Sequence, residues 1–198
     1  MQAPEALALY LRYGSRLDGY ATRITEKLAE CLPKESAQML REIVQPQEAH
    51  HARMQAEMAH RVCADVRMPN EVYTEVVGNM ALTPDPLWNA LWMNIGEQFF
   101  ASQFKVLARK ARDLGYREVY FGLCEIAKDE VRHYELGWEN LPLLGTLTPE
   151  VVWNVANAME VVNRSDQMVD CEIPKALGLP SLRGMAGRCA GKLLGRLL

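Results

Sequence analysis

Apolar residues recur along the chain at intervals of three and four, and no stretch alternates long enough to demand a strand. The first such run, over 4–31, puts Leu7, Leu11, Gly14, Leu17, Ala21, Ile24 and Leu28 on one stripe. That is the pattern of a helix with one buried face. Leu32-Pro33 breaks it, and Pro33 suits the first turn of a second helix over 34–65, which Pro46 should kink. A third helix covers 86–114 with Gly115 as its C-terminal cap, and a fourth follows over 116–140. After the turn Leu144-Gly145-Thr146, a fifth helix is expected over 149–170. The fold class is all-α.

Between the second and third helices the pattern lapses. Residues 66–85 contain Pro69, Asn70, Gly78 and Pro84, with room for a short helix at 72–77. Helices of about 30 residues are about 45 Å long at 1.5 Å per residue. Twenty linker residues reach roughly 65 Å when extended, enough to run the whole length of such a bundle. Two short turns and one long crossover therefore predict two antiparallel helix pairs whose turns lie at opposite ends. Residues 1–198 read as one domain, a four-helix bundle over 4–140 with additional C-terminal helices over 149–198.

Composition narrows the class without naming it. The chain has 198 residues, enough to bury a core without staples, and its 49% hydrophobic and 24% charged content is ordinary for a globular protein. A net charge of -3 gives no general attraction to nucleic acid. No run approaches the roughly 18 apolar residues of a membrane span, and Glu5 and Arg12 interrupt the first apolar stretch, unlike a signal peptide. The five cysteines are widely spaced and never form C-x-x-C, which fits reduced thiols in the cytoplasm and no rubredoxin or zinc-ribbon site.

The chemistry concentrates in the four histidines. Three end a Glu-x-x-His pattern: Glu48 with His51, Glu57 with His60, and Glu130 with His133. Residues three apart share a helix face, so each pair offers two ligands to one region. Carboxylate oxygen with imidazole nitrogen suits iron or manganese better than calcium or a thiolate-seeking metal. One match is weak evidence; register strengthens two of them. Glu48 lies 16 residues after Leu32, and Glu130 lies 16 after Leu114, so both sit near mid-height of their helices. Glu57 is two and a half turns beyond Glu48 and points elsewhere, as a solvated face would. Glu97 stands on an otherwise apolar stripe of the third helix, where a carboxylate is costly unless paired or metal-bound. A helix-turn-helix returns it to the level of Glu130.

These residues resemble the ferritin-like diiron carboxylate superfamily. Its pattern is a carboxylate on the first helix, Glu-x-x-His on the second, Glu on the third and Glu-x-x-His on the fourth. The resemblance implies a ferritin-like four-helix bundle holding two iron ions, manganese being acceptable to the same ligands. It further implies bridging by Glu48 and Glu130, nitrogen ligands from His51 and His133, and a terminal carboxylate from Glu97. The first helix departs from the pattern. The position mirroring Glu97 is Ser15, a poor ligand, and the nearest acid is Asp18, one methylene shorter than glutamate. Asp18 is the expected ligand there; water, Glu160, Asp166 or a weaker metal site are the alternatives.

Other features admit plainer readings. Tyr10, Tyr13 and Tyr20 lie on the first helix, with Tyr20 expected nearest the site, as core or as a redox side chain. Trp88, Trp92, Phe99 and Phe100 open the third helix as core, pocket wall or dimer interface. Met54 and Met58 read as core. The tail over 181–198 sets Arg183, Arg188, Lys192 and Arg196 against Leu182, Met185, Leu193, Leu194, Leu197 and Leu198. Such a stretch suits a packed terminal helix or contact with a membrane surface or partner.

The resemblance leaves several activities open. A storage cage usually ends soon after a short fifth helix, and peroxide-reducing relatives usually carry a rubredoxin. The roughly 50 residues after the fourth helix instead suit a pocket, with Val152, Val155, Ala156 and Met159 facing the bundle and Trp92 and Phe100 on one side. The expectation is a cytoplasmic non-haem diiron oxygenase or oxidase, an oxidoreductase using dioxygen, a small organic substrate and a separate electron donor, and compatible with a homodimer. A dimanganese or diiron peroxide-handling enzyme, an iron-storage ferroxidase and a bundle that has lost its metal are the alternatives.

Overall fold

Helix boundaries follow local chemistry. In the computed structural model, which describes residues 1–179 and 184–196, α1 runs Ala3–Cys31 with Pro4 in its first turn, where a missing N–H costs nothing. Leu32 is extended and ends it ahead of Pro33. Next come α2 (Lys34–Met39), a π-helical turn at Leu40–Val44, and α3 (Gln45–Val62). The expected kink at Pro46 is this wide turn, set just before the proline. Pro46 has no N–H to return to Glu42, and the Gln45 N–H reaches back five residues to the Leu40 carbonyl. The second rod ends at Val62, three residues before the expected boundary.

The crossover is more structured than its sequence suggests. α4 spans Glu71–Ala81, where only 72–77 was expected. Asn70 caps it by accepting from the Tyr73 N–H at 3.3 Å and donates to Asp166 Oδ2 at 2.8 Å, fixing the crossover to the C-terminal region. Asp85 caps α5 (Pro86–Asp113), and the Trp88 indole N–H donates to the Met80 carbonyl at 2.9 Å. Gly115 adopts φ +87°, a left-handed conformation that glycine enters without strain, and turns the chain into α6 (Arg117–Leu144). α6 continues one turn beyond the expected boundary, with Pro142 in its last turn.

The expected fifth helix is two pieces. α7 (Pro149–Arg164) stops where Asp166 accepts from the Met168 and Val169 N–H groups, starting a π-helical turn at Met168–Glu172 and then α8 (Ile173–Leu177). α9 spans Met185–Leu194. Ser181, Leu182, Arg183, Leu197 and Leu198 of the basic tail lie outside the described residues. Within them, α9 buries Met185, Ala186, Cys189, Ala190 and Leu193 and packs on α7 and α5. Arg196 forks onto Glu135 at 2.9 and 3.0 Å, over the ring of Tyr134. No helix among the described residues is long and apolar enough to cross a membrane.

The four long rods form a bundle whose directions can be read from side-chain pairs. α1 packs along α3 and α5 along α6. Tyr10 meets Phe104 and Thr25 meets Met93, so α1 and α5 run oppositely. Glu48 meets His133 and Arg61 meets Glu118, so α3 and α6 do too. The crossover carries the chain from the level of Arg12 to that of Lys27, near the far end of α1, and α4, α7 and α8 cover the α1–α5 side. Phe104, Leu107, Leu123 and Ile126 fill the core between α5 and α6 with almost no exposure. Leu123→Ala should cost about 2–5 kcal/mol in urea unfolding with an unchanged m-value. A loss below about 1 kcal/mol would show that this seam is not close-packed.

Candidate metal centre

Six ionisable side chains from four helices meet at mid-height of the bundle. Asp18 comes from α1, Glu48 and His51 from α3, Glu97 from α5, and Glu130 and His133 from α6; none is more than 6% exposed. Their atoms fall into two overlapping groups. Glu48, Glu97, Glu130 and His133 each offer an atom within 4.8 Å of the others, and so do Asp18, Glu48 and His51. Glu48 belongs to both. The two imidazoles are 5.7 Å apart between ring centres, one beside each group.

Both histidines turn Nδ1 inward. His51 Nδ1 is 3.5 Å from Glu130 Oε1, and His133 Nδ1 is 2.7 Å from Glu48 Oε1 and 3.8 Å from Glu97 Oε2. Yet both Nδ1 atoms, Glu48 Oε1 and Glu97 Oε2 lack a well-formed hydrogen bond, although all are buried. Buried polar atoms are almost always satisfied, so four orphans converging on one space ask for a cation. The outer nitrogens explain the ring orientation. His51 Nε2 lies 3.1 Å from Asp129 Oδ2, and His133 Nε2 lies 2.9 Å from Gln47 Oε1. Each acceptor puts the proton on Nε2 and leaves the Nδ1 lone pair facing inward.

Sequence reading missed Asp129 and Gln47. The signal was there: each immediately precedes a motif glutamate, and each reaches the histidine of the opposite motif. It also missed Gln55, which is fully buried and donates through Nε2 to Asp18 Oδ2. Gln55 lies seven residues after Glu48, on the same face. Its amide occupies the space that a side chain at Gly14 would need, so the glycine allows α3 to steady the short aspartate.

The other candidates are placed elsewhere. The Ser15 hydroxyl donates to the Ala52 carbonyl at 2.6 Å and ties α1 to α3. Glu57 and His60 are exposed. Asp166 caps the turn after α7, and Glu160 Oε1 accepts from the Ala186 N–H at 3.2 Å. Tyr10 and the expected Tyr20 both line the cavity beside the cluster, and Tyr10 lies in the field of Asp18 and Glu130. The Tyr10 hydroxyl is buried and unpartnered, and burial, with the Asp18 charge after it, raises its pKa. The Tyr20 ring instead fills the space above Gly78 on α4.

Electrostatics report the same demand. Burial, and then neighbouring carboxylates, push Asp18, Glu97 and Glu130 well above the ordinary range. Burial alone would lower both imidazoles. The Glu130 carboxylate, with Glu48 and Asp129, outweighs it at His51, and Glu48, with Glu130 and Asp129, outweighs it at His133, so both rise. Added positive charge, from a proton or a cation, is favoured at every one of these five groups. An oxygen-and-nitrogen donor set without thiolate can hold a hard or borderline divalent ion.

Beside the cluster is a cavity of about 140 Å³. Asp18, Glu48, Glu97 and Glu130 form its polar end. Its walls come from Ile24 and Ala21 of α1, Val77 and Ala81 of α4, Trp92, Met93 and Phe100 of α5, and Met159 of α7. Val152, Val155 and Ala156 of α7 are fully buried, and the expected aromatics Trp92 and Phe100 do line this space. No family model, curated protein or solved structure matches the chain.

The raised pKa values set a pH dependence for metal-free protein. Above the ordinary carboxylate values of 3.8 and 4.5, the folded chain holds protons that the unfolded chain has lost, so stability falls as pH rises. The two imidazoles act the same way: their contribution is complete below the ordinary 6.5 and is lost as pH passes their raised values. Protein dialysed against chelator should therefore melt lower at about pH 8 than at about pH 5. A midpoint that rises over this interval would contradict the assignment.

Proposed function

We propose that the protein is a ferritin-like diiron carboxylate oxidoreductase that uses dioxygen to oxidise a small organic molecule, with electrons from a separate donor. The observation that carries this reading is the pair of overlapping ligand groups that share Glu48 and open on an apolar cavity. The antiparallel helix pairs joined by one long crossover support the fold assignment.

In this reading Asp18 and His51 would hold one ion, Glu97 and His133 the other, with Glu48 and Glu130 as carboxylates available to both. Two irons in such a carboxylate and imidazole set supply the binding and reduction of dioxygen. The chain's own residues have four tasks. Asp129 and Gln47 hold the imidazoles so that Nδ1 is free to coordinate. Gln55 steadies Asp18. The carboxylates release protons when the ions bind, since metal and proton compete for the same oxygens. The apolar walls exclude water and bring an organic molecule beside Glu97 and Glu130.

Metal analysis after anaerobic loading with ferrous iron should give about two ions per chain. Asp18→Ala or His51→Ala should remove one ion, Glu97→Ala or His133→Ala the other, and Glu48→Ala should impair both. Full occupancy in both histidine variants would sink the ligand assignment. A many-subunit shell that takes up iron far beyond two per chain would replace the oxidase with storage. A small oligomer that saturates near two and consumes oxygen is the expected outcome.

The supporting residues give a finer test. Asp129→Ala and Gln47→Ala should each weaken metal affinity by about 10–100-fold. Unaltered affinity in both would mean that neither residue orients its histidine.

A further inference from the structure

Gly96 sits inside α5, next to Glu97, and is buried. Glycine in a helix interior is unfavourable relative to alanine because its unfolded backbone is freer. It persists where a side chain would collide. Gly122 and Gly137 illustrate this, since a Cβ there would lie 2.8 Å from the Met58 sulfur and 2.7 Å from Asn94 Nδ2. Gly96 is different: a Cβ built on it meets no heavy atom within 4 Å. A buried position with nothing in front of it faces a void, and Gly96 lines the cavity that reaches Glu97 and Glu130. Helix packing gives no reason for this glycine; the empty volume does.

The cavity describes its occupant. Its volume of about 140 Å³ is close to that of a dry apolar cavity, about 150 Å³, known to accept benzene. Trp92, Phe99 and Phe100 line it, and Ile24, Val77 and Met159 complete the apolar walls. Among the described residues no lysine or arginine lines it, so a carboxylate or phosphate group would find no counter-charge there and would face the acidic cluster.

We propose that Gly96 holds open, beside Glu97, the volume that admits a neutral, single-ring-sized apolar molecule, and that the side chain at this position sets the size of what enters. The inference rests on the oxidase reading only for what happens to that molecule; its binding requires no metal.

The probe is fluorobenzene, followed by fluorine NMR with metal-free full-length protein. Saturable binding is expected, and benzoate should not displace it. Gly96→Leu should weaken fluorobenzene at least about tenfold, with circular dichroism confirming the fold. Gly96→Ala should melt higher by about 2 °C or more, because it adds helix preference at no steric cost. That arm stands even if the leucine variant does not fold. The proposal is overturned if native protein fails to bind fluorobenzene, if benzoate competes equally, if folded Gly96→Leu binds like native protein, or if Gly96→Ala melts lower. Fluorobenzene binding without iron uptake would sink the oxidase reading alone; two irons without fluorobenzene binding would sink this inference alone.

Discussion

Carboxylates crowded into a helical core repel one another and lose their hydration, and at mid-height of this bundle four of them share one small space. Each buried ion carries a penalty of several kcal/mol unless something of opposite charge answers it. Among the described residues no arginine or lysine forms an ion pair with these carboxylates. The protein supplies two imidazoles whose inner nitrogens face the carboxylates without a well-aligned hydrogen bond, and burial raises the proton affinity of Asp18, Glu97 and Glu130. A core built this way is under-compensated as protein alone. Two divalent cations would bring about four positive charges to the four carboxylates, and the metal-binding part of the proposal rests on that balance.

The rest of the structure keeps the arrangement from relaxing. Carboxylates free to rotate would swing toward water, so their helices must be locked in register. Trp88 joins the crossover to α5, and Asn70 joins it to Asp166 beyond α7. Arg196 clamps the C-terminal segment onto α6 through Glu135, close to the turn that carries His133. The π-helical turn just before Gln47 adds to the same end. It shifts the face of α3 where Pro46 has already removed a backbone bond, and so sets the angle at which Glu48 and His51 enter the core.

Much of this was legible in the sequence because the ligands obey helical arithmetic. Glu48 and Glu130 stand at equal distances from their turns, so two antiparallel pairs bring them level without tertiary information. Asp18 was legible only as the nearest acid to the right height. What secures it, Gln55 against Gly14, is a contact between helices and leaves no trace in the periodicity of either. Asp129 and Gln47 were missed because an exposed-looking polar residue beside a motif looks like a solvated face until its partner helix is placed. Tyr20 was preferred to Tyr10 because it is nearer Asp18 in sequence. Tyr10 lies two turns before Asp18 and closer to the bundle axis, where its hydroxyl feels Asp18 and Glu130.

Stability and function pull in opposite directions within a few ångströms of Glu97. A fold selected only to persist would place alanine at position 96, fill the adjoining void and replace the acidic cluster with leucine. Here the void, the unfavourable glycine and the buried carboxylates occur together, and the apolar residues around them are packed to negligible exposure at Ile95, Phe104 and Leu123. The larger void lies on one side of the cluster, and only a smaller one of about 30 Å³ reaches Glu97 and His133 from between α5 and α6. The well-packed seam between α5 and α6 supplies the rigidity, and the α1–α5 side, roofed by α4 and α7, supplies the space. A metal ion bound by the cluster, at the boundary between the two, would be held firmly by one and reached through the other.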